Sequence, residues 1–154
     1  MVDRQTTYVK TEGEQIPVVA DCDVVVVGAG PAGHAAAISA ARNGASVTLM
    51  ERYHHLGGMA SGGMVLVLDD MVNEGNEIVT TGIVSEFVER LEKQDAAVYP
   101  PKADHQTNWE MWQKWSRWGC IDFHKAMMPQ PIIHAVAFDP DAWKRVSLDM
   151  VRET

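Results

Sequence analysis

Cysteine, basic residues and long apolar runs are all scarce in this chain. Cys22 and Cys120 are its only two cysteines in 154 residues. So few, and so far apart, they suggest neither a disulfide framework nor a zinc site. A reduced, cytoplasmic setting is the expectation. Lys and Arg number 13 against 21 Asp and Glu, for a formal net charge of −8. That balance argues against a nucleic-acid partner and against an anionic membrane surface. No apolar run approaches the ~20 residues needed to span a bilayer, and the stretch Met1 to Lys10 lacks the apolar core of a signal peptide. What is present suffices for one domain that buries roughly 68–70% of its unfolded surface.

The most informative stretch is Asp23-Val-Val-Val-Val-Gly-Ala-Gly-Pro-Ala-Gly-His34, followed by Val47-Thr-Leu-Met-Glu-Arg52. It reads as strand, glycine turn, helix and second strand ending in an acid, the geometry that holds the ADP half of a dinucleotide. Val24 to Val27 are a β-branched run that suits a parallel strand buried on both faces. Gly28 permits the tight turn, Gly30 lets backbone approach a pyrophosphate, and Gly33 removes a side chain where helix crosses strand. Pro31 is tolerated in the first helical turn, where its missing N–H has no intrahelical partner. Ala35, Ala36, Ala37, Ile38, Ala40 and Ala41 give the helix a small-residue surface that can lie close on a sheet. The helix N-terminus favours a phosphate by roughly 0.3–1 kcal/mol when exposed. Asn43-Gly44 ends the helix. Glu51 then stands where a carboxylate accepts from ribose hydroxyls, which disfavours a 2′-phosphate, although Arg52 adjoins it.

The remainder is read more coarsely. Residues 1–20 form a polar N-terminal arm, and residues 21–154 the nucleotide-binding domain, with an irregular Trp-rich insertion at about 95–131. A second glycine segment runs from Leu56 to Gly63, before the apolar run Met64 to Leu68. Thr81 is placed to cap a helix whose stripe is Ile83, Val84, Phe87, Val88 and Leu91. Ile132 to Phe138 reads as a strand. Asp139-Pro140 then opens a helix with Trp143, Val146, Met150 and Val151 on its buried face. A parallel sheet needs further strands and helices on both faces, so the expected α/β fold looks incomplete at the C-terminus.

With both glycine segments in view, the chain resembles the N-terminal portion of the FAD-dependent oxidoreductases. These form the glutathione-reductase-like superfamily, which includes fumarate-reductase-type flavoproteins. The likeness rests on Asp23 to Gly33, Glu51-Arg52 and Leu56-Gly-Gly-Met-Ala-Ser61, and more weakly on Phe138 to Arg145. It implies a Rossmann-like FAD-binding domain. Gly28, Ala29, Gly30, Pro31, Ala32 and Gly33 would hold the FAD pyrophosphate. Glu51 with Arg52 would meet the ribose, and Gly57, Gly58, Met59, Ala60 and Ser61 would pass along the flavin side. A small-molecule substrate and an electron donor or acceptor are implied partners. Another chain, or a missing C-terminal segment, would complete the flavin pocket. Disulfide reductases of the superfamily carry a cysteine pair after the double glycine. Gly57 to Leu68 has none, so dithiol chemistry is not expected.

Two other readings stay open. Thiazole-forming biosynthetic enzymes share the glycine turn, the Glu-Arg pair and a pattern like Gly57 to Met64, and they bind an NAD-derived molecule. The third reading is a non-catalytic fragment or subunit that needs a partner. No residue is assigned as a catalytic group or a metal ligand, and no substrate or acceptor is identified. His54 and His55 are either a solvated loop pair or, as in some relatives, a point of covalent flavin attachment. His105, His124 and His134 read as surface or satisfied core histidines, and Asp69-Asp70 as a polar strand end. Trp109, Trp112, Trp115 and Trp118 recur every third residue. They pack an insertion, line a substrate-facing cap or serve a subunit contact, with packing the simplest expectation.

Overall fold

The computed structural model describes residues 7–154; residues 1–6 of the arm lie outside them. The rest of the arm is an antiparallel hairpin of β1 (Tyr8–Thr11) and β2 (Glu14–Pro17), exposed along its length. Next come β3 (Val24–Val27), α1 (Pro31–Arg42) and β4 (Val47–Met50). β3 and β4 pair in parallel, Val24 opposite Val47 through Val27 opposite Met50. The fold is therefore α/β with an open parallel pair, of the Rossmann-like type expected. At its base Asp23 and Ser46 clamp the strands together. The Asp23 carboxylate accepts from the Ser46 backbone N–H at 2.8 Å and hydroxyl at 2.7 Å. These bonds hold its pKa below the ordinary value.

α1 covers one face of this pair, as its small side chains allow. The other face is open: Val25 is 56% and Val27 80% exposed. The β-branched run is thus half-buried on one face, at Val24 and Val26, and exposed on the other, a correction to the expectation of a strand buried on both. The hand-off from β3 to α1 depends on Gly33. A Cβ there would stand 1.8 Å from the Gly28 carbonyl oxygen.

After β4 the chain forms a short 3-10 turn, Gly58–Ala60, and then β5 (Val67–Leu68), α2 (Ile83–Glu92) and β6 (Ala97–Val98). α3 (Trp109–Trp115), β7 (Val136–Phe138) and α4 (Pro140–Arg152) follow. β7 lies between β5 and β6, antiparallel to both. Two sequence boundaries move. Gly82, at φ +79°, takes the N-cap position of α2 with no side-chain cap, so Thr81 stands one residue too early. The strand expected from Ile132 begins only at Val136. Before it, the His134 N–H is drawn aside to Asn76 Oδ1 at 3.0 Å. α4 starts as its sequence says, with Asp139 accepting from Asp141 and Ala142 N–H at 2.7 and 2.8 Å.

The main core gathers α1, α2, β7 and α4. Trp143 packs against Phe87 and Phe138 with ring centroids 4.2 and 4.4 Å away, beside buried Ile38, Leu91, Val146 and Met150. A second core of Trp115, Cys120, Ile121, Ile132 and Ala135 belongs to the Trp-rich region. Of the four periodic tryptophans only Trp115 is buried, its Nε1–H donating to Asp104 at 2.9 Å. Trp109 and Trp118 are 54% and 37% exposed. Outside the cores, Arg42, Glu86, Arg90 and Glu153 link α1, α2 and the end of α4. The two guanidinium groups push the Glu86 carboxyl down to about 2. Such exposed pairs typically contribute no more than ~1 kcal/mol each. Among the described residues no helix is long and apolar enough to cross a membrane.

α1 and α4 are also joined by His34. Its Nε2–H donates to the Ser147 carbonyl at 2.9 Å, since a carbonyl can only accept. The ring is 4% exposed and lies edge-on to Phe87.

Replacing Gly33 with Ala should cost about 1–3 kcal/mol, through displacement of the Gly28 turn. A lowered urea midpoint checks it; an unchanged midpoint would mean that the turn yields freely. Burial holds the His34 pKa below its ordinary 6.5. The unfolded chain therefore binds this proton more tightly than the folded chain does, so the stability from neutral His34 is full above pH 6.5. It falls as the pH drops through the folded value. The stability gap between wild type and His34→Gln should accordingly narrow from pH 7.5 to 5.5. A constant gap in urea titrations would remove His34 from the acid response.

Candidate functional site

The site is built from two glycine turns pressed together at the C-terminal end of β3 and β4. Gly28 continues the sheet by donating to the Met50 carbonyl at 2.7 Å, then turns at φ +94°. Ala29 follows, fully buried. Gly30 is the N-cap of α1 in an extended conformation, with no side-chain cap, and Pro31 opens the first turn. Pro31 and Ala32 are exposed, so this end of α1 faces outward. A helix end with free N–H groups and the positive end of its dipole favours an anion.

Glu51 sits just beyond β4 and reaches back to the first turn. Its Oε2 accepts from Ala29 N–H at 2.8 Å and its Oε1 from Tyr53 N–H at 3.0 Å. These bonds, Tyr53 first, hold the carboxyl below its ordinary value and ionised at neutral pH. The Arg52 guanidinium carbon lies 5.1 Å from the centre of the Tyr53 ring.

The second turn docks onto the first through backbone. Gly57 N–H donates to the Ala29 carbonyl at 2.8 Å. A Cβ on Gly57 (φ +108°) would fall 2.6 Å from Trp143 Cδ1, and one on Gly58 2.8 Å from the Gly30 Cα. The approach between turns is thus possible only without side chains. Ala60 and Ser61 are buried, whereas Met59 is 64% exposed. The sequence suggests a Ser61 hydroxyl available to the flavin side of a cofactor. Here that hydroxyl donates inward to the Leu56 carbonyl at 2.7 Å and holds the turn.

All the residues singled out from Gly28 to Gly33, at Glu51 and Arg52, and from Gly57 to Ser61 therefore meet at one end of the sheet. The structure adds three that sequence spacing did not reveal. Trp143 lies beneath Gly57, and its signal was only a place on the apolar stripe of α4. Lys144 and Arg145 join Tyr53, His54, His55 and Leu56 around a cavity of about 530 Å³ next to Glu51. His54 is exposed and His55 half-buried, with its Nδ1 3.3 Å from Ser61 Oγ. Cys120 is remote and buried, its thiol pushed up to about 11 by desolvation.

Known proteins resemble parts of this chain. An uncharacterized protein in the nifH2 5′ region of Methanosarcina barkeri is 60% identical over 38 residues, 25% of this chain and 20% of that protein. The soluble pyridine nucleotide transhydrogenases of Salmonella paratyphi B and Salmonella typhi are each 50% identical over 38 residues, 25% of this chain and 8% of theirs. The matched segment thus spans between 8% and 20% of these curated relatives. No solved structure matches the chain. A family model described as FAD dependent oxidoreductase matches residues 23–154, from the base of β3 through α4. The chain belongs to the FAD dependent oxidoreductase family.

Proposed function

We propose that this chain is the FAD-binding portion of a flavin-dependent oxidoreductase. The ADP moiety lies on the turn Gly28, Ala29, Gly30, Pro31, Ala32 and Gly33, with the adenosine ribose on Glu51. The observation that carries this reading is the Glu51 carboxylate, ionised and 2.8 Å from the Ala29 N–H beside the uncapped start of α1. One carboxylate therefore borders both the place for a ribose and the place for a pyrophosphate. Fixed donors and an oriented acceptor favour a nucleotide diphosphate without rearrangement.

Each part of the chain has a task in this reading. The first-turn N–H groups of α1 bind the pyrophosphate, and the bareness of Gly30 lets it come close. Arg52, beside Glu51, borders the adenosine. Gly57, Gly58, Met59, Ala60 and Ser61 carry the backbone along the flavin side, with Ser61 bracing the turn and Met59 offering an exposed side chain. When bound, FAD supplies hydride and electron transfer. A small-molecule substrate and an electron donor or acceptor meet it there. The open face bearing Val25, Val27 and Met50 supports a pocket completed by a further segment or another chain.

FAD titrated into the purified protein should quench flavin fluorescence saturably, and NAD should compete only weakly. Replacing Glu51 with Ala or Gln removes the charged acceptor. FAD affinity should fall about tenfold to a hundredfold. Unchanged affinity would take the ribose from Glu51. Saturable NAD binding without FAD binding would transfer the site to the NAD-type reading.

A further inference from the structure

The two glycine turns are joined by little of their own. Among the described residues one backbone hydrogen bond crosses between them, from Gly57 N–H to the Ala29 carbonyl at 2.8 Å. The second turn is otherwise bonded within itself. Ala60 N–H donates to the Gly57 carbonyl at 3.1 Å, Gly62 N–H to the Gly58 carbonyl at 2.9 Å and the Ser61 hydroxyl to the Leu56 carbonyl at 2.7 Å. A turn closed on itself in this way is built to move as a unit. One hydrogen bond to its neighbour does not fix its position, because such a bond is weak once the loss of water is counted.

The missing restraint comes from α4. Trp143 Cδ1 lies 2.6 Å from the point where a Cβ on Gly57 would stand, and Ser61 Oγ lies 2.7 Å from the same point. Gly57 is therefore held at its N–H by the first turn and at its α-carbon by the edge of the indole. The indole has little room to give way. It is 5% exposed, and the Phe87 and Phe138 rings pack on it at 4.2 and 4.4 Å, tilted by 35° and 43°. Its backbone is anchored in the first turn of α4. There Trp143 N–H donates to the Asp139 carbonyl at 3.0 Å, and Asp139 N–H to the Ala96 carbonyl at 3.0 Å. Interiors packed to this density pass a displacement of one side chain on to its neighbours. The first turn is anchored differently, by Gly28 N–H on the Met50 carbonyl at 2.7 Å and Ala29 N–H on Glu51 at 2.8 Å. Neither bond involves α4.

We propose that Trp143 is a positioning residue for the flavin half of the cofactor. By fixing Gly57 it sets the spacing of the two turns, whereas the ADP half depends on the first turn and Glu51. The role rests on the FAD reading above and divides the labour within it. A ligand that spans both turns needs their spacing already correct, and a ligand that lies on the first turn does not. Loss of the indole edge is therefore felt by FAD and not by ADP.

Trp143→Phe keeps an aromatic ring against Phe87 and Phe138 and removes the five-membered edge at Gly57. FAD affinity, read from flavin fluorescence, should fall about tenfold, with ADP affinity, read by calorimetry, changed less than about twofold. In NMR exchange measurements the Gly57 N–H should quicken in the variant while the Gly28 N–H keeps its wild-type rate. Equal losses of FAD and ADP, with both amides quickened together, would mean that Trp143 serves only the stability of the core and would overturn the role. Unchanged FAD affinity would overturn it as well. The wild type supplies a check that holds even if Trp143→Phe does not fold. Its Trp143 indole N–H resonance should move on addition of FAD and hold still with ADP; equal movement with both ligands overturns the role. A wild-type chain that binds neither FAD nor ADP removes the FAD reading and the role with it. Every other adverse result removes the role of Trp143 and leaves the FAD reading in place.

Discussion

The close approach of the Gly57–Gly58 backbone to the turn at Gly28–Gly30 constrains everything around it. A methyl group on Gly58 would meet the Gly30 Cα, and one on Gly57 would meet Trp143. The contact has no side-chain slack: its tolerance is that of peptide planes and a hydrogen bond from Gly57 to Ala29. Trp143 closes it from below, and Phe87 and Phe138 hold Trp143 in place. A surface made only of backbone is thereby backed by the packed rings of Trp143, Phe87 and Phe138. Backbone donors already in position cost little reorganisation when a ligand meets them.

Glu51 shows how the same arrangement handles charge. A carboxylate so close to the glycine turn is a charge that needs partners. The backbone N–H groups of Ala29 and Tyr53 offset the carboxylate's charge and fix its direction. The acid is thus a structural tie between the end of β4 and the first turn. Arg52 stays with Tyr53 and does not neutralise it.

The strand-turn-helix-strand unit was legible in the sequence because its signals are local. Strand, turn, helix and acid lie within thirty or so positions, and each glycine answers a short-range steric demand. Asp139-Pro140 was legible for the same reason. Legibility failed where distant segments decide. Val25 and Val27 carry the pattern of a doubly buried strand, but only neighbours elsewhere in the fold determine whether a second face is covered. Ile132 to Ala135 has strand composition, yet the amide of Asn76 takes the N–H of His134. Thr81 was a suitable cap by type, and the left-handed Gly82 displaced it. Trp143 beneath Gly57, and Lys144 and Arg145 beside His54, are contacts between elements that no spacing rule connects.

The division of the buried apolar residues into clusters has a consequence for how the molecule opens. Trp115, Cys120, Ile121 and Ile132 pack among themselves and their near neighbours, apart from the Trp143 cluster under the glycine turns. Cooperative unfolding units generally follow such divisions. The Trp-rich core is thus placed to open as a unit of its own, without parting the two glycine turns that rest on the Trp143 cluster.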